Sequence, residues 1–224
     1  MGEAEESMHD GQPVVRRRLP AAERRKLILE AGLDAFAEGG YQETTLDEVA
    51  DRAGISKALI YEHFPSKRDL YREILETWIG DLLGRVLAAA TAAGGQSEAR
   101  LVAGLDGFLA FVEERRDAWR LLIRHRASDD VSETFDRLFE EVARIIGALM
   151  APEMPASSLP EGAAFDLVLD ATSRQLMGSV TAVANWWDEH REVPRQQVLE
   201  MVMEFAWVGM ERASAGERWS SPER

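Results

Sequence analysis

The chain has 224 residues, 46% of them hydrophobic, and carries 26 Lys and Arg against 40 Asp and Glu for a net charge of −14. That is enough apolar material for one large core or two modest ones. The absence of cysteine excludes disulfides, thiolate metal sites, zinc fingers and cysteine nucleophiles. The acidic start and the lack of an apolar run of membrane length predict a cytoplasmic protein with no secretory signal and no membrane partner. The charge is unevenly spread. Residues 13–72 hold 11 Lys and Arg against 10 Asp and Glu, so the acidic excess lies outside that segment. An acidic body attached to a near-neutral end suppresses diffuse attraction to phosphates while leaving one face able to dock.

In chain order, residues 1–20 offer little to bury and are expected as a disordered leader. Its basic triplet, Arg16, Arg17 and Arg18, either lies along phosphates or in a minor groove or remains a solvated tail. From Ala21 onward, apolar residues recur at helical spacing: Leu27, Ile28, Ala31 and Phe36, then Leu46, Val49, Ala50 and Ala53. Gly39-Gly40, Gly54, Pro65 and Gly94-Gly95 punctuate four helices, the fourth of them long. Further helices are expected over 98–114, 118–127, 132–150, 163–190 and 194–213. The proline-rich stretch 151–162 is the longest loop, and 214–224 is a flexible tail. Strand-like alternation is missing throughout, which predicts an all-α fold of about nine helices.

The segment from Thr44 to Phe64 carries the most information. Thr45 and Glu48 make a capping box that starts a short helix. Ala50 is small enough for a close helix crossing, Gly54 can take the left-handed conformation of a tight turn, and Ser56 can cap the next helix. Ile55 and Leu59 are expected in the core. Lys57, Ala58, Tyr61 and His63 then face outward on one side, as in a recognition helix for a major groove. Ser66 caps a third start with Lys67 in its first turn, where a cation opposes the helix dipole. An external anion such as a DNA phosphate would explain it, and so would a solvated surface Lys.

Taken as an ordered block, this segment resembles the TetR family of bacterial repressors. The resemblance runs from Arg25 through Ile28-Leu29, Ala31, Phe36, Gly40-Tyr41, Thr44-Thr45, Val49-Ala50, Ala53-Gly54, Ser56-Lys57, Tyr61, His63-Phe64 and Ser66-Lys67 to Leu70, about 50 residues. It implies a three-helix DNA-binding domain, 21–66, joined by a long fourth helix to a larger helical effector-binding and dimerisation domain, 67–213. It also implies DNA contacts at Thr45, Lys57, Ala58, Tyr61, His63 and Lys67, with Lys57 and Ala58 nearest the bases. One departure is Ala58-Leu59-Ile60, which stands where the family commonly has a small pair ending in a hydroxyl and so removes a phosphate contact.

Beyond Arg72 the reading rests on periodicity. Most aromatics on converging helices form core. In a fold of this type some would line an apolar pocket, and the candidates are Trp78, Phe108, Phe111, Trp119, Leu122, Phe135, Phe139, Leu176 and Val180. Such a lining suits a hydrophobic small-molecule effector, its polar head met by Arg120, Arg124 or Arg174, unless these arginines make ordinary surface ion pairs. Val183 and Trp187, followed by Val198, Met201, Val202, Phe205, Val208 and Gly209, form apolar stripes on two C-terminal helices. A lone stripe is normally intramolecular core, but the family resemblance implies that these helices make the contact of a homodimer.

The expected function is a repressor released from a double-stranded, pseudo-palindromic operator by the effector. A DNA-bound adaptor whose body binds a protein partner is the alternative. Enzyme chemistry finds little footing: His9, His63, His125 and His190 are scattered, and no phosphate loop or nucleophile elbow is present. No metal or cofactor is expected.

Overall fold

The computed structural model describes residues 20–124, 129–154, 162, 164–215 and 217; the leader with Arg16, Arg17 and Arg18 lies outside them. The described residues form nine α-helices: α1 Ala21–Glu43, α2 Leu46–Arg52, α3 Lys57–His63, α4 Lys67–Ala92, α5 Ser97–Glu114, α6 Arg116–Arg124, α7 Asp129–Met150, α8 Phe165–Glu189 and α9 Arg195–Ser214. A short 3₁₀ turn, Ala151–Glu153, follows α7, and no strand occurs among them. The all-α expectation holds. Among the described residues no helix is long and apolar enough to cross a membrane.

The head is built on α1. Gly40, at φ 79°, interrupts the helix. The buried Thr44 then folds back, its Oγ1 donating to the carbonyls of Gly40 at 2.8 Å and Ala35 at 3.1 Å. Ile28 and Phe36 are fully buried, and Tyr71 of α4 meets Phe36 and Tyr41 edge-on at 5.1 and 4.8 Å. At Gly32 a Cβ would come within 2.8 Å of the Ile74 side chain, so the crossing of α1 and α4 has no room for one.

The joint between α2 and α3 forms as the residue types require. Thr45 Oγ1 accepts from the Glu48 amide at 3.2 Å, Ser56 Oγ accepts from the Leu59 amide at 3.3 Å, and Gly54 sits at φ 65°. The Glu48 carboxylate is given to Arg52 instead of closing a reciprocal box. One expectation needs correcting. α3 is anchored by Ile60 and Phe64, both buried; Ile55, half-buried, packs against the core, and it is Leu59, also half-buried, that departs from the expectation. An i, i+4 pair on a two-turn helix puts a single stripe inward, and Leu59 falls at its edge.

α4 serves both parts of the molecule. The expected division after residue 66 falls at its first residue, yet Leu70, Tyr71, Ile74 and Leu75 pack into a buried cluster that runs unbroken from Ile28 to Val202. Farther along, α4 pairs with α5. Added side-chain carbons at Gly104 and Gly107 would lie 3.6 Å from Val86 and 3.3 Å from the Arg85 carbonyl, so these two glycines let the helices approach closely. α6 rests against α1 of the head as well as against α5. It is fastened to α8 by Asp188, which accepts from Arg120 at 2.8 Å and Arg116 at 3.2 Å.

Candidate nucleic-acid interface and ligand cavity

Thr45, Lys57, Ala58 and Tyr61 are exposed, Tyr61 at 51% despite its size, and His63 and Lys67 are partly covered. Ile60 and Phe64, on the opposite side of α3, hold the helix to the core. Arg25 supports the end of α3 from behind: its guanidinium lies 4.6 Å from the Phe64 ring centroid and forms a two-pronged pair with Glu73. The two lysines both have partners within the chain. Lys57 Nζ donates to Asp47 Oδ2 at 2.6 Å. The hydrogen bond and charge of Asp47 raise the lysine's pKa above its ordinary value, so it stays cationic. Lys67 Nζ donates to the Gln42 carbonyl at 3.0 Å and lies 4.7 Å from the Tyr41 ring centroid. The cation at the start of α4 is therefore held by the end of α1, a partner within the chain in place of the external anion or bulk solvent expected for it.

The body holds a partly open cavity of about 840 Å³, within the range of roughly 300–1,000 Å³ usual for small-molecule sites. Of the nine residues expected to line it, Phe108, Trp119, Leu122, Phe139, Leu176 and Val180 do so. The ring of Trp119 meets Phe108 edge-on at 5.3 Å. Two expectations are overturned: Trp78 and Phe111 are not in the lining. They are core, 6.5 Å apart between centroids, and Trp78 carries the Arg115 guanidinium 5.0 Å from its ring. The lining starts at Ile79 on α4 and ends at Phe108 on α5, so this pair lies at its head-side end. The side chain of Phe135 is outside the described residues.

Much of the wall went unread in the sequence: Leu82, Leu83 and Val86 of α4, Leu101 of α5, Met177 of α8 and Trp207 of α9 all contribute. The available signal was the apolar spacing of α4 beyond Ile79, a pattern that core packing produces equally well. The lining extends over 79–91 on α4 and 97–108 on α5, which at 1.5 Å per residue makes it about 16–18 Å long. Its charged residues, Arg100 and Glu211, lie with Thr91 and Ser97 on the ends of α4, α5 and α9 farthest from the head, while Thr172 and Thr181 line it from the middle of α8.

Arg120 and Arg174, considered above for a ligand head, are engaged elsewhere. Arg120 pairs with Asp188 and Asp117. Arg174 reaches Glu140 and Asp170, Nη1 lying 3.1 Å from Glu140 and Nε 3.0 Å from Asp170. The side chain of Arg124 is outside the described residues.

The C-terminal stripe divides into two faces. Trp187, Val198 and Val202, expected at a subunit contact, are 1%, 0% and 4% exposed within the single chain. The Trp187 indole donates to the Val193 carbonyl at 2.8 Å. They are core, and Val183 is half-buried. The outward face carries Met201, Phe205 and Val208, Phe205 being 76% exposed, with Trp186 of α8 also exposed and Gly209 in open space.

Comparison with known proteins is consistent across the chain. Residues 28–74 match the family model for bacterial regulatory proteins of the tetR family, and 97–209 match the tetracyclin repressor-like C-terminal domain. The HTH-type transcriptional activator FasR of Mycolicibacterium smegmatis is 30% identical over 204 residues, covering 86% of this chain and 85% of that protein. A TetR-like regulator from Rhodococcus sp. RHA1 superposes with a TM-score of 0.69 at 25% identity, covering 87% and 99% of the two chains. The regulator FadR of Bacillus subtilis, solved in complex with stearoyl-CoA, superposes at 0.67 with 12% identity, covering 86% and 99%. With its helix-turn-helix head, its helical body and similarity to these proteins over most of its length, the chain belongs to the TetR family of DNA-binding transcriptional regulators.

Proposed function

We propose that two copies of this chain bind a pseudo-palindromic operator, and that a long-chain acyl effector in the body cavity releases them from it. The head supplies the reading surface: Lys57 and Ala58 toward base edges, and Thr45, Tyr61, His63 and Lys67 toward phosphates. Two such heads, related by a dyad and roughly 34–36 Å apart, would enter successive major grooves. The outward stripe of Met201, Phe205 and Val208 with Trp186 is the apolar patch a second copy would cover.

The observation that carries the effector reading is the position of α6. Its Trp119, Leu122 and Ile123 line the cavity, while the same helix rests on α1 of the head. α4 makes a second connection, since its first turns are head core and its later turns are cavity wall. An apolar chain entering between α4 and α6 would displace both, tilt the heads and spoil the fit to two half-sites; a coupling of ~1–3 kcal/mol suffices. A long, mostly apolar cavity whose charged lining residues, Arg100 and Glu211, lie at the far end suits an acyl chain whose tip points to α6 and whose head stays near Arg100. FadR of Bacillus subtilis, which shares the fold, was solved with stearoyl-CoA. The cavity also favours a small ligand over the protein-binding adaptor. Release lowers or raises transcription according to where the operator sits, and the relative matched over most of its length is named an activator.

The test is a titration of stearoyl-CoA into the complex with a duplex selected by the full chain from a random pool. Operator affinity should fall roughly tenfold, with the thermal midpoint of the free protein rising and the dimer persisting in sedimentation. Unchanged affinity at saturation, or dissociation of the dimer, would overturn the mechanism.

A further inference from the structure

We infer that Asp47 is a specificity-determining positioning residue that holds the Lys57 ammonium for a neutral base edge and against the phosphate backbone. This rests on the reading of α3 as the DNA-facing helix. Asp47 lies in the first turn of α2 and Lys57 is the first residue of α3, so their 2.6 Å ion pair spans the joint between the two helices. Both side chains remain accessible, at 44% and 62%, and Ala58 and Tyr61 beside Lys57 are exposed too. The pair therefore lies at the reading surface.

Its effect follows from the chemistry of the two acceptors DNA offers. A free Lys swings a point charge on a four-carbon stem and takes whichever phosphate is nearest, since phosphates carry the charge. An ammonium has three N–H donors, and giving one to Asp47 leaves two for a neutral acceptor pair such as guanine O6 and N7. Asp47 repels the partial negative charges of that neutral edge only weakly. It does repel a phosphate brought to the same ammonium, because two anions would then share one cation at close range. Asp51 adds to the negative field felt by Lys57. The pair thus weakens the sequence-independent contact more than the base contact, and the difference is specificity.

Asp47→Asn tests this, since it keeps the shape and removes the charge. Affinities would be measured for the full chain on a duplex it selects from a random pool, and on the same duplex with its base order shuffled. Binding to the shuffled duplex should strengthen more than binding to the selected one, so that the ratio between them falls about fivefold, within the range of one base contact. The salt dependence on the shuffled duplex should steepen by about one phosphate contact. In a Lys57→Ala background Asp47→Asn should leave the ratio unchanged. Equal strengthening on both duplexes, or an effect that survives in the Lys57→Ala background, reduces Asp47 to general charge repulsion and overturns the inference. If Lys57→Ala does not weaken binding to the selected duplex at all, the α3 interface itself is wrong, an outcome distinct from failure of the Asp47 role alone.

Discussion

In the head, the role of most side chains is set within a turn or two of sequence; in the body, it depends on which of several neighbouring helices the side chain meets. Thr45, Gly54 and Ser56 cap and turn α2 and α3 through contacts with residues three or fewer positions away. Around the cavity such a device ends α4, where Gly94 sits at φ 77°, but it does not decide which side chains face inward. Its wall draws on α4 through α9, and a residue there is core or lining according to a difference of one position, as with Trp78 and Ile79. Local chemistry makes a rigid reader, and converging apolar faces make a space that can be filled.

Four substitutions would break or sharpen this contrast, the largest effect first. Phe36→Ala, in the tightly packed head, should cost about 3–5 kcal/mol of stability, seen as a lower midpoint in denaturant. Phe205→Glu should hardly alter the stability of the single chain, because the side chain is 76% exposed. It should nevertheless separate the copies in sedimentation and weaken operator binding about a hundredfold, close to 3 kcal/mol, by removing the second half-site. A dimer that survives this change would place the subunit contact elsewhere.

Asp188→Ala should cost about 2 kcal/mol by leaving Arg116 and Arg120 facing each other without their carboxylate. Burial alone would raise the pKa of Asp188, but hydrogen bonds from Arg120 and Arg116 outweigh it and bring the folded-state value below the ordinary 3.8. The contribution is therefore present above that ordinary value and lost as pH falls through the lowered one. Wild type and variant should accordingly converge in stability as pH falls through the lowered value. Smallest in its effect on stability, Leu101→Trp would fill part of the cavity. It should reduce the response to stearoyl-CoA about tenfold while leaving operator affinity intact, a change of about 1.4 kcal/mol in effector binding alone.

The two regions were also unequally legible in the sequence. The joint of α2 and α3, the outward placement of Tyr61 and Lys57 and the all-α fold could be read because caps, a positive-φ glycine and helical spacing act over short distances. Even there the spacing points Leu59 inward, whereas the structure buries Ile60, since periodicity over seven residues fixes the inward direction only to within one position. Lys67 looked unsatisfied only because its acceptor, the Gln42 carbonyl, is 25 positions away. In α9 a broad apolar stripe was read as one surface, whereas Val198 and Val202 close the chain's own core and Phe205 turns outward. Hydrophobicity marks both faces alike, and only the packing of α5 and α8 against α9 separates them.

The central claim is that filling the cavity moves the heads. Because the chain contains no cysteine, Glu62→Cys places one spin label on each head, at an exposed position of α3. The distance distribution between the two labels in the DNA-free dimer can then be measured with and without saturating stearoyl-CoA. The account predicts a shift of the mean by several ångströms in the same concentration range that weakens operator binding. Superimposable distributions, with operator affinity falling all the same, would contradict it.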